Sequence, residues 1–214
     1  MINCRMSVPA HIREICKVLR ENDFEAFVVG GAIRDILLGK ECSDFDIATN
    51  AHPQDVLRIF PFSKAYGDFG TVMIITKGTK VEMTPYRDDA PGRKPQYSME
   101  GTICTDLSRR DFTINSIAYD PISDDLLDPF RGMQDIKDGI IRCTGSQKRI
   151  WEDPLRAMRA ARFQAQLGFI IDSATLYAIK AQAWELMSIS RERIRDELMK
   201  LITGDYCYDG LVTL

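Results

Sequence analysis

The sequence predicts an α/β (α+β) fold in its N-terminal part, followed by an all-helical part. Apolar residues make up 45% of the 214-residue chain, which is typical of a globular protein with a sizeable core. Strand-like and helix-like patterns alternate up to about residue 145, and from Arg149 onward only helical spacing remains. We therefore expect two domains, over residues 1–145 and 146–214.

The first domain starts with a predicted amphipathic helix over His11–Asn22. Ala26–Gly31 is a short apolar strand that ends on two glycines, and Asp44–Thr49 alternates polar and apolar residues as a half-buried strand does. The other elements predicted here are helices over Ala32–Leu38 and Pro53–Phe60 and a strand hairpin formed by Gly70–Thr76 and Lys80–Arg87.

The middle of the chain is less regular, and its end is helical. Asp88–Gly101 holds prolines, glycines and charges, which predicts a loop. Asp111–Tyr119 and Leu126–Asp128 show mixed apolar patterns, and Ile140–Cys143 is a candidate strand. The helices predicted for the second domain are Trp151–Leu167, Ser173–Met187 and Arg191–Leu201, and Tyr208–Leu214 looks like the start of another.

The composition limits the cellular compartment and the kinds of catalytic site that the chain can have. No apolar run approaches the ~18–20 residues of a membrane span, and the N-terminus lacks the apolar core of a signal peptide, so we expect a cytoplasmic chain without a membrane partner. Six cysteines without a CxxC pair indicate free thiols in a reducing compartment. Only two histidines occur, which argues against HExxH zinc sites and a Ser-His-Asp triad. Catalysis would therefore use carboxylates, arginines and backbone groups.

The turn after the first strand is a candidate phosphate site. Gly30 and Gly31 between a strand and a helix let an anion approach backbone amides, and Arg34 one turn later could add a charged contact. A tight turn with a surface arginine is the alternative interpretation.

Asp44 and Asp46 form a candidate metal site. Residues two apart on a strand share one face, and two adjacent carboxylates repel each other unless a cation lies between them. Oxygen ligands of this kind favour Mg²⁺ or Mn²⁺ and serve phosphoryl or nucleotidyl transfer. Glu82 on the later hairpin is a candidate third carboxylate. Two solvated aspartates at a strand edge are the alternative.

Two arginine-rich segments are candidate nucleotide contacts. Arg110, Asp111 and Asn115 belong to a run that could bind ribose hydroxyls and phosphate oxygens, or form surface ion pairs. In the second segment Asp153, Arg156, Arg159 and Arg162 are spaced three apart, which places them in one row of a helix. An aspartate and an arginine together could read the edge of a base that carries an amine, such as cytosine or adenine. Salt bridges to a neighbouring helix are the alternative.

Five motifs in this order resemble those of the class II tRNA nucleotidyltransferases, the CCA-adding enzymes and their bacterial poly(A) polymerase relatives. They are GGAIRDILLGK…SDFDIAT, RRDFTINSIAYDP, DPFRGMQDI, EDPLRAMRAARF and ERIRDEL, and they span roughly residues 24 to 200. The resemblance implies a polymerase-β-like nucleotidyltransferase head (palm) over residues 1–145 and a helical neck over residues 146–214, without the family's body and tail domains. It implies metal-dependent addition of C and A nucleotides, from CTP and ATP, to the 3′ end of tRNA without a nucleic-acid template.

The resemblance also implies roles for individual residues. Asp44 and Asp46 match the aspartates that hold the catalytic metal ions, and Glu82 matches an acidic strand residue. The positions implied to contact the nucleotide are Gly30, Gly31, Arg34, Arg110, Asp111, Asn115, Asp153, Arg156, Arg159 and Arg162. Asp153 and Arg156 match the pair that reads the base. Glu192, Arg193 and Glu197 match a helix that braces the site.

Other activities remain open at the level of sequence. Family members are commonly about twice as long as this chain, and its net charge of −3 agrees with a missing basic RNA-binding part, so we expect weak tRNA binding. Poly(A), CC-only or A-only addition are alternatives. A different class of alternative is a nucleotide-binding module that needs further domains for turnover, and the simplest is an α/β domain whose charged residues form structural ion pairs.

Overall fold

The computed structural model of the protein describes residues 2–3, 5–67, 70–87 and 101–214. Its strands are β1 (Ile2–Asn3), β2 (Ala26–Val29), β3 (Asp44–Thr49), β4 (Lys64–Tyr66), β5 (Thr71–Thr76), β6 (Thr79–Pro85), β7 (Ala118–Asp120), β8 (Asp125–Leu127), β9 (Ile140–Ile141) and β10 (Ile170–Ile171). Its α-helices are α1 (Ala10–Glu21), α2 (Gly31–Leu37), α3 (Pro53–Ile59), α4 (Ile103–Ser108), α5 (Gly132–Asp138), α6 (Lys148–Glu152), α7 (Leu155–Leu167), α8 (Ser173–Gln182), α9 (Arg191–Ile202) and α10 (Cys207–Thr213). Short 3-10 turns cover Thr113–Asn115 and Ala183–Ser188. The predicted loop Asp88–Gly101 lies outside the described residues except for Gly101.

A mixed sheet is the centre of the fold. In the described part of the chain eight strands join in the order β1-β8-β7-β2-β3-β6-β5-β4. Strands β3 and β6 are parallel, and the other neighbours in this sheet are antiparallel. The parallel register sets Asp44 beside Lys80 and Asp46 beside Glu82. Because side chains alternate along a strand, these four share one face of the sheet.

The opposite face of the sheet carries the main core. Phe45 and Ile47 of β3 are buried there, and α1, α2 and α3 all contact the sheet. Helix α1 buries Ile12, Ile15, Cys16 and Leu19, the positions at which helical spacing predicted an apolar face. The carboxylates of β3 therefore stand on a strand whose other face is packed into the core.

The C-terminal helices pack against one another and against the sheet part. Helix α7 contacts α9 and α10. Phe163 of α7 is buried and meets Phe112 edge to face, with 5.8 Å between the ring centroids. The predicted fold class, an α/β part followed by helices, is confirmed, while the division into separate domains at residues 145 and 146 stays a prediction.

Several predicted elements differ from the structure. The helix predicted over Trp151–Leu167 is two helices, α6 and α7, because Pro154 disfavours helical geometry at the residue before it and Asp153 is extended. The helix predicted over Ser173–Met187 ends at Gln182 and continues as a 3-10 turn. The candidate strand Ile140–Cys143 is shortened to β9, which pairs with β10 instead of the central sheet.

The elements β1, β4, α4, α5 and β10 were not predicted, and β4 and α4 show why. Strand β4 has three residues, all exposed, so it lacks the alternation that identifies a strand. Helix α4 has six residues and begins with reciprocal hydrogen bonds between Thr102 and Thr105. Within the described ranges, no helix is long and apolar enough to cross a bilayer.

Candidate active site

The predicted acidic residues lie on the open face of the sheet. Asp44 and Asp46 are exposed, while Phe45 and Ile47 between and beyond them point into the core. Glu82 of β6 stands beside Asp46 of β3. It forms an ion pair with Lys80, with 2.5 Å between Lys80 Nζ and Glu82 Oε1. The alternation predicted for Asp44–Thr49 therefore brings the carboxylates together on one side.

The surroundings of Asp46 disfavour its ionised form. Burial by surrounding protein raises the pKa of its carboxyl even though the side chain keeps contact with solvent, and the charges of Glu82 and Asp44 raise the pKa further. Arg110 and Lys80 act in the opposite direction and do not fully compensate. A cation bound next to Asp46 would favour its ionised form.

The residues present suit a hard divalent cation in an open site. Carboxylate oxygens are the ligands that Mg²⁺ and Mn²⁺ prefer. Within the described ranges, no three His, Cys, Asp or Glu side chains converge as a closed metal cage. Asp44 and Asp46 thus fit the pattern in which one or two carboxylates hold Mg²⁺ and water or substrate phosphates supply the other ligands.

Gly30 allows the chain to turn beside Asp46. Its φ of +74° lies in the left-handed region, and a Cβ there would stand 3.0 Å from Arg110 Nη1 and 3.4 Å from Asp46 Oδ2. Gly31 then begins α2. Arg34 on that helix is buried, and its Nη1 donates to Asn115 Oδ1 over 2.8 Å. The two glycines and Arg34 therefore lie at one site, and their role in phosphate binding stays a prediction.

Asp111 is the centre of a buried network behind Arg34. Its Oδ1 accepts from Asn115 Nδ2 (3.0 Å) and from the Phe112 amide (2.8 Å), and its Oδ2 accepts from Arg159 Nε (2.8 Å). Burial alone would raise the pKa of Asp111, but Arg159 and these hydrogen bonds outweigh it and hold the pKa well below its usual range. Asp111 is therefore a fixed negative charge in the folded protein.

Gly132 of the DPFRGMQDI motif allows a close contact behind the site. A Cβ at this position would lie 2.1 Å from the Thr113 carbonyl oxygen, so only glycine lets α5 approach the turn that carries Asn115. Thr113 Oγ1 also donates to Asp135 of α5 over 2.6 Å. The DPFRGMQDI segment thus positions Asn115 from behind.

Asp153 and Arg156 lie together at the junction of α6 and α7. Asp153 Oδ2 accepts from Arg193 over 2.9 Å, and its Oδ1 accepts from the Leu155 amide over 3.2 Å. Arg156 donates to the backbone carbonyls of Arg149 (2.8 Å) and Arg109 (2.9 Å). The prediction that Asp153 shares a helical row with the arginines is wrong, because Pro154 separates it from α7.

Arg159 and Arg162 do share one side of α7. Arg162 Nε donates to the buried Glu197 of α9 over 2.6 Å, and Arg159 Nη1 lies 3.8 Å from the same carboxylate. Phe163 lies against both guanidinium groups, with 5.6 Å and 4.0 Å from the ring centroid to Cζ of Arg159 and Arg162. The arginine row is therefore held by an acid on the next helix and by an aromatic ring.

Two cavities meet at Asp46 and Arg110. The helix-side cavity, of about 440 Å³, is lined by Gly30, Gly31, Arg34, Asp46, Arg110, Asp111, Asn115, Asp153, Leu155, Arg156, Arg159, Arg162, Phe163 and Arg193. The strand-side cavity, of about 310 Å³, is lined by Val29, Asp46, Ile47, Ala48, Thr71, Glu82, Thr84, Arg87, Asp106, Arg109 and Arg110.

Almost every predicted site residue lines one of these cavities. The exception is Asp44, which lines neither of the two cavities and stands beside Lys80 at the start of β3. Sequence reasoning missed Phe163, although it ends the EDPLRAMRAARF motif four residues after Arg159. It also missed Asp106, Arg87 and the two threonines of the strand-side cavity, for which no local signal exists because tertiary contacts bring them there.

Comparison with known proteins assigns the family. Residues 26–142 match the family described as the poly A polymerase head domain, and residues 168–214 match one described as the probable RNA and SrmB-binding site of polymerase A. The chain belongs to the poly A polymerase head-domain family. The resemblance to the class II tRNA nucleotidyltransferases and bacterial poly(A) polymerases is thereby confirmed.

Relatives within this family are CCA-adding enzymes. The enzyme of Levilactobacillus brevis is 40% identical over 208 residues, which cover 94% of this chain and 52% of the relative. The structure of the Bacillus stearothermophilus CCA-adding enzyme in complex with CTP matches with a TM-score of 0.87 at 40% identity, over 94% of this chain and 50% of that one. The Thermotoga maritima enzyme complexed with tRNA matches with a TM-score of 0.81 at 28% identity, over 96% and 50%. The chain thus spans about half the length of the curated relatives it matches.

Proposed function

We propose that the protein adds C and A nucleotides from CTP and ATP to the 3′ end of tRNA without a nucleic-acid template. The observation that supports this most strongly is the helix-side cavity, where Asp46, Arg34 and the Asp153–Arg156 pair line one space. A carboxylate, phosphate-binding groups and a polar base-reading pair are the parts that nucleotidyl transfer requires. The names of the relatives agree with this activity.

The triphosphate binds first in this proposal. Arg34 and the Gly30–Gly31 turn contact its phosphates, and the rigid support of Arg34 by Asn115 keeps the guanidinium in place before the nucleotide arrives. Arg110 and Asp111 lie nearest to the ribose. Because Asp111 is ionised and already bonded on both oxygens, its main contribution is to hold Arg159 and Asn115 in position.

Asp153 and Arg156 read the base. An oxygen of Asp153 accepts from the amine of cytosine or adenine, and Arg156 donates to a ring nitrogen or carbonyl oxygen. Arg156 is fixed by two backbone carbonyls and Asp153 by Arg193, so neither side chain needs to reorganise. Uracil and guanine present a carbonyl in place of that amine and would face the Asp153 carboxylate unfavourably.

Transfer follows by in-line displacement. The 3′ oxygen of the tRNA forms a bond to the α-phosphorus while the bond from that phosphorus to the pyrophosphate oxygen breaks. A Mg²⁺ or Mn²⁺ ion held by Asp44 and Asp46 would lower the pKa of the attacking hydroxyl and neutralise the leaving pyrophosphate. Asp46 or Glu82 orients the attacking hydroxyl, and we assign no general base.

Free thiols support a cytoplasmic site of action. The five cysteines in the described ranges, Cys16, Cys42, Cys104, Cys143 and Cys207, form no disulfide with one another. Free cysteines are typical of proteins in a reducing compartment.

Incubation with labelled CTP and ATP tests the proposal. A tRNA that lacks its 3′ CCA should gain two C residues and then one A, and EDTA should stop the reaction. Runs of A alone would indicate poly(A) polymerase, and addition of C or A only would indicate a partial activity. Binding of CTP without any extension would favour the nucleotide-binding module, and transfer in EDTA without added divalent ion would contradict the role of the metal.

A further inference from the structure

One aromatic ring lies among three guanidinium groups of the helix-side cavity. The distance from the ring centroid of Phe163 to the guanidinium carbon Cζ is 5.1 Å for Arg34, 5.6 Å for Arg159 and 4.0 Å for Arg162. A cation within about 6 Å of a ring centroid is attracted by the negative face of the ring. All four side chains line the same cavity.

The ring joins arginines from two separate segments of the chain. Arg34 lies on α2, which contacts the central sheet, whereas Arg159 and Arg162 lie on α7. Phe163 itself is fixed by the edge-to-face contact with Phe112. A movement of this ring would therefore change the surroundings of guanidinium groups on both sides of the cavity.

Stacking on the ring leaves Arg34 able to bind an anion. A guanidinium is planar, so its face stacks on an aromatic ring while its N–H groups point outward in the plane. Of the five N–H donors of an arginine, Arg34 uses three in hydrogen bonds to Asp35 and Asn115. The hydrogen bonds described for Arg34 thus leave two donors for a phosphate oxygen.

The charge of Arg162 would also be stabilised by an anion. Burial lowers the pKa of Arg162, and the neighbouring charge of Arg159 lowers it further. Glu197 acts in the opposite direction but does not fully compensate. A polyanion in the helix-side cavity would favour the charged form of Arg162, as the face of the Phe163 ring does.

Base stacking is the competing role for an aromatic side chain in this cavity. A base stacks on an aromatic face that is open to it. Phe163 is only 3% exposed, and arginines lie over its ring. The ring therefore acts on a ligand through the guanidinium groups and not by direct stacking.

We propose that Phe163 is a positioning residue, which holds Arg34, Arg159 and Arg162 in the orientation that binds the triphosphate of the incoming nucleotide. This inference rests on the proposed function, because the triphosphate belongs to a substrate of that reaction. It gives an apolar side chain a part in phosphate binding, since guanidinium groups that are already oriented lose less conformational entropy when the anion binds.

Fluorination of the ring tests the electrostatic part of this role. Fluorine withdraws electrons from an aromatic ring and weakens its attraction for cations, while the shape of the ring changes little. The full chain is prepared with 4-fluorophenylalanine or 3,4,5-trifluorophenylalanine at position 163, and calorimetry measures the binding of inorganic tripolyphosphate and of CTP in the presence of Mg²⁺. We expect both affinities to fall stepwise, by about three- to thirtyfold for the trifluorinated ring.

Phe27 provides the matched control for fluorination. It lies on β2, has Arg20 Cζ at 5.7 Å from its ring centroid and lines neither cavity. The same substitutions at position 27 should change both affinities less than about twofold. Affinities that stay constant through the series at position 163 would overturn the proposal. A loss of CTP affinity without a loss of tripolyphosphate affinity would also overturn it, because the ring would then act on the base.

Turnover of a leucine variant separates positioning from a structural role. Phe163→Leu keeps an apolar side chain but removes the aromatic face. We expect the KM for CTP and for ATP to rise about three- to thirtyfold, while kcat and the order of nucleotide preference stay unchanged. A fall in kcat that follows the loss of folded protein, with unchanged KM, would make Phe163 a structural residue only. If this variant does not fold, as judged by circular dichroism, the fluorinated series decides the matter alone.

The binding measurements also separate this proposal from the proposed function. If the unmodified chain fails to incorporate CTP and ATP into tRNA but the tripolyphosphate affinity falls with fluorination, the catalytic function fails and the positioning role stands. If the chain incorporates both nucleotides and fluorination changes neither affinity, only the positioning role fails.

Discussion

The two walls of the site are built in opposite ways. On the strand wall, the side chains of Asp44 and Asp46 reach solvent, but burial by surrounding protein and, after it, neighbouring negative charges raise the pKa of Asp46. On the helix wall, Asp111 and Glu197 are buried, and arginines of α7 pair with both. The ionised form of Asp46 on the strand wall is disfavoured by its surroundings, whereas both carboxylates of the helix wall are paired with arginines.

This difference indicates that the strand-wall carboxylates take part in the reaction, whereas the helix-wall ion pairs position other side chains. A carboxylate that is destabilised in the folded protein gains when a cation or a substrate proton approaches, so the strand wall is where binding changes the energy most. A buried pair gains little from a ligand, but it keeps the arginines in a fixed geometry. Substitutions on the two walls should therefore affect activity and stability in opposite proportions.

Removal of a strand-wall aspartate has the largest expected effect. Asp44→Ala or Asp46→Ala should abolish nucleotide transfer, because loss of a metal ligand removes several kcal/mol of transition-state stabilisation, which corresponds to about a thousandfold or more in rate. Stability should stay unchanged or rise, since the carboxylate repulsion is relieved. Single-turnover incorporation of labelled CTP and urea unfolding measure the two effects.

Either variant could contradict this account. More than a few per cent of residual transfer would refute the metal role of that aspartate. Equal losses of thermal stability and activity would place Asp44 and Asp46 among structural residues and remove the contrast between the walls.

Removal of the helix-wall acid should act mainly on stability. Glu197→Ala leaves the buried guanidinium of Arg162 without its carboxylate, which typically costs about 3–5 kcal/mol. The control is Asp196→Ala on the same helix, whose partner Arg195 is exposed and whose ion pair is worth about 1 kcal/mol or less. Urea unfolding of both variants measures the difference. Similar small losses in both would show that the arginine row does not depend on Glu197.

The sequence predicts the strand wall better than the helix wall. Alternation along Asp44–Thr49 alone places both aspartates on one face, because a strand has a strict period of two. On the helix wall, spacing suggested one continuous row, and Pro154 instead breaks the helix and turns Asp153 toward Arg193. Local rules identify the break once Pro154 is weighed, but Arg193 lies forty residues away from Asp153 and no local pattern pairs them.

Loss of Asp153 should change selectivity more than binding. Asp153→Ala removes the acceptor for the amine of cytosine or adenine, and one hydrogen bond to a charged group is worth about 1.5–3 kcal/mol, or roughly a ten- to hundredfold change in preference. Phosphate contacts remain, so triphosphate affinity should fall less. Incorporation of CTP, ATP, UTP and GTP by both proteins measures it. A four-nucleotide profile that keeps its shape while all rates fall together would make Asp153 a brace for Arg193 and not a base reader.

The smallest expected signal is a pH dependence of opposite sign on the two walls. The folded-state pKa of Asp46 is raised, so as pH rises above the ordinary aspartate value of ~3.9 the folded protein keeps its proton longer than the unfolded chain, and stability falls. The folded-state pKa of Asp111 is lowered, so its contribution to stability is fully present above the ordinary value and is lost progressively as pH falls from there toward the lower folded-state pKa.

Asparagine variants isolate these two contributions. Relative to the unmodified protein, Asp46→Asn should gain stability as pH rises from about 3.9, and the gain should level off above the folded-state pKa. Asp111→Asn should lose stability at neutral pH, and this loss should shrink as pH falls below the same value. Urea midpoints between pH 3 and 8 measure both differences. Each substitution replaces one carboxylate by an amide of the same shape, so only the charge changes. If the stability difference from the unmodified protein changed with pH in the same direction in both variants, the partners described above would not set the pKa values of Asp46 and Asp111.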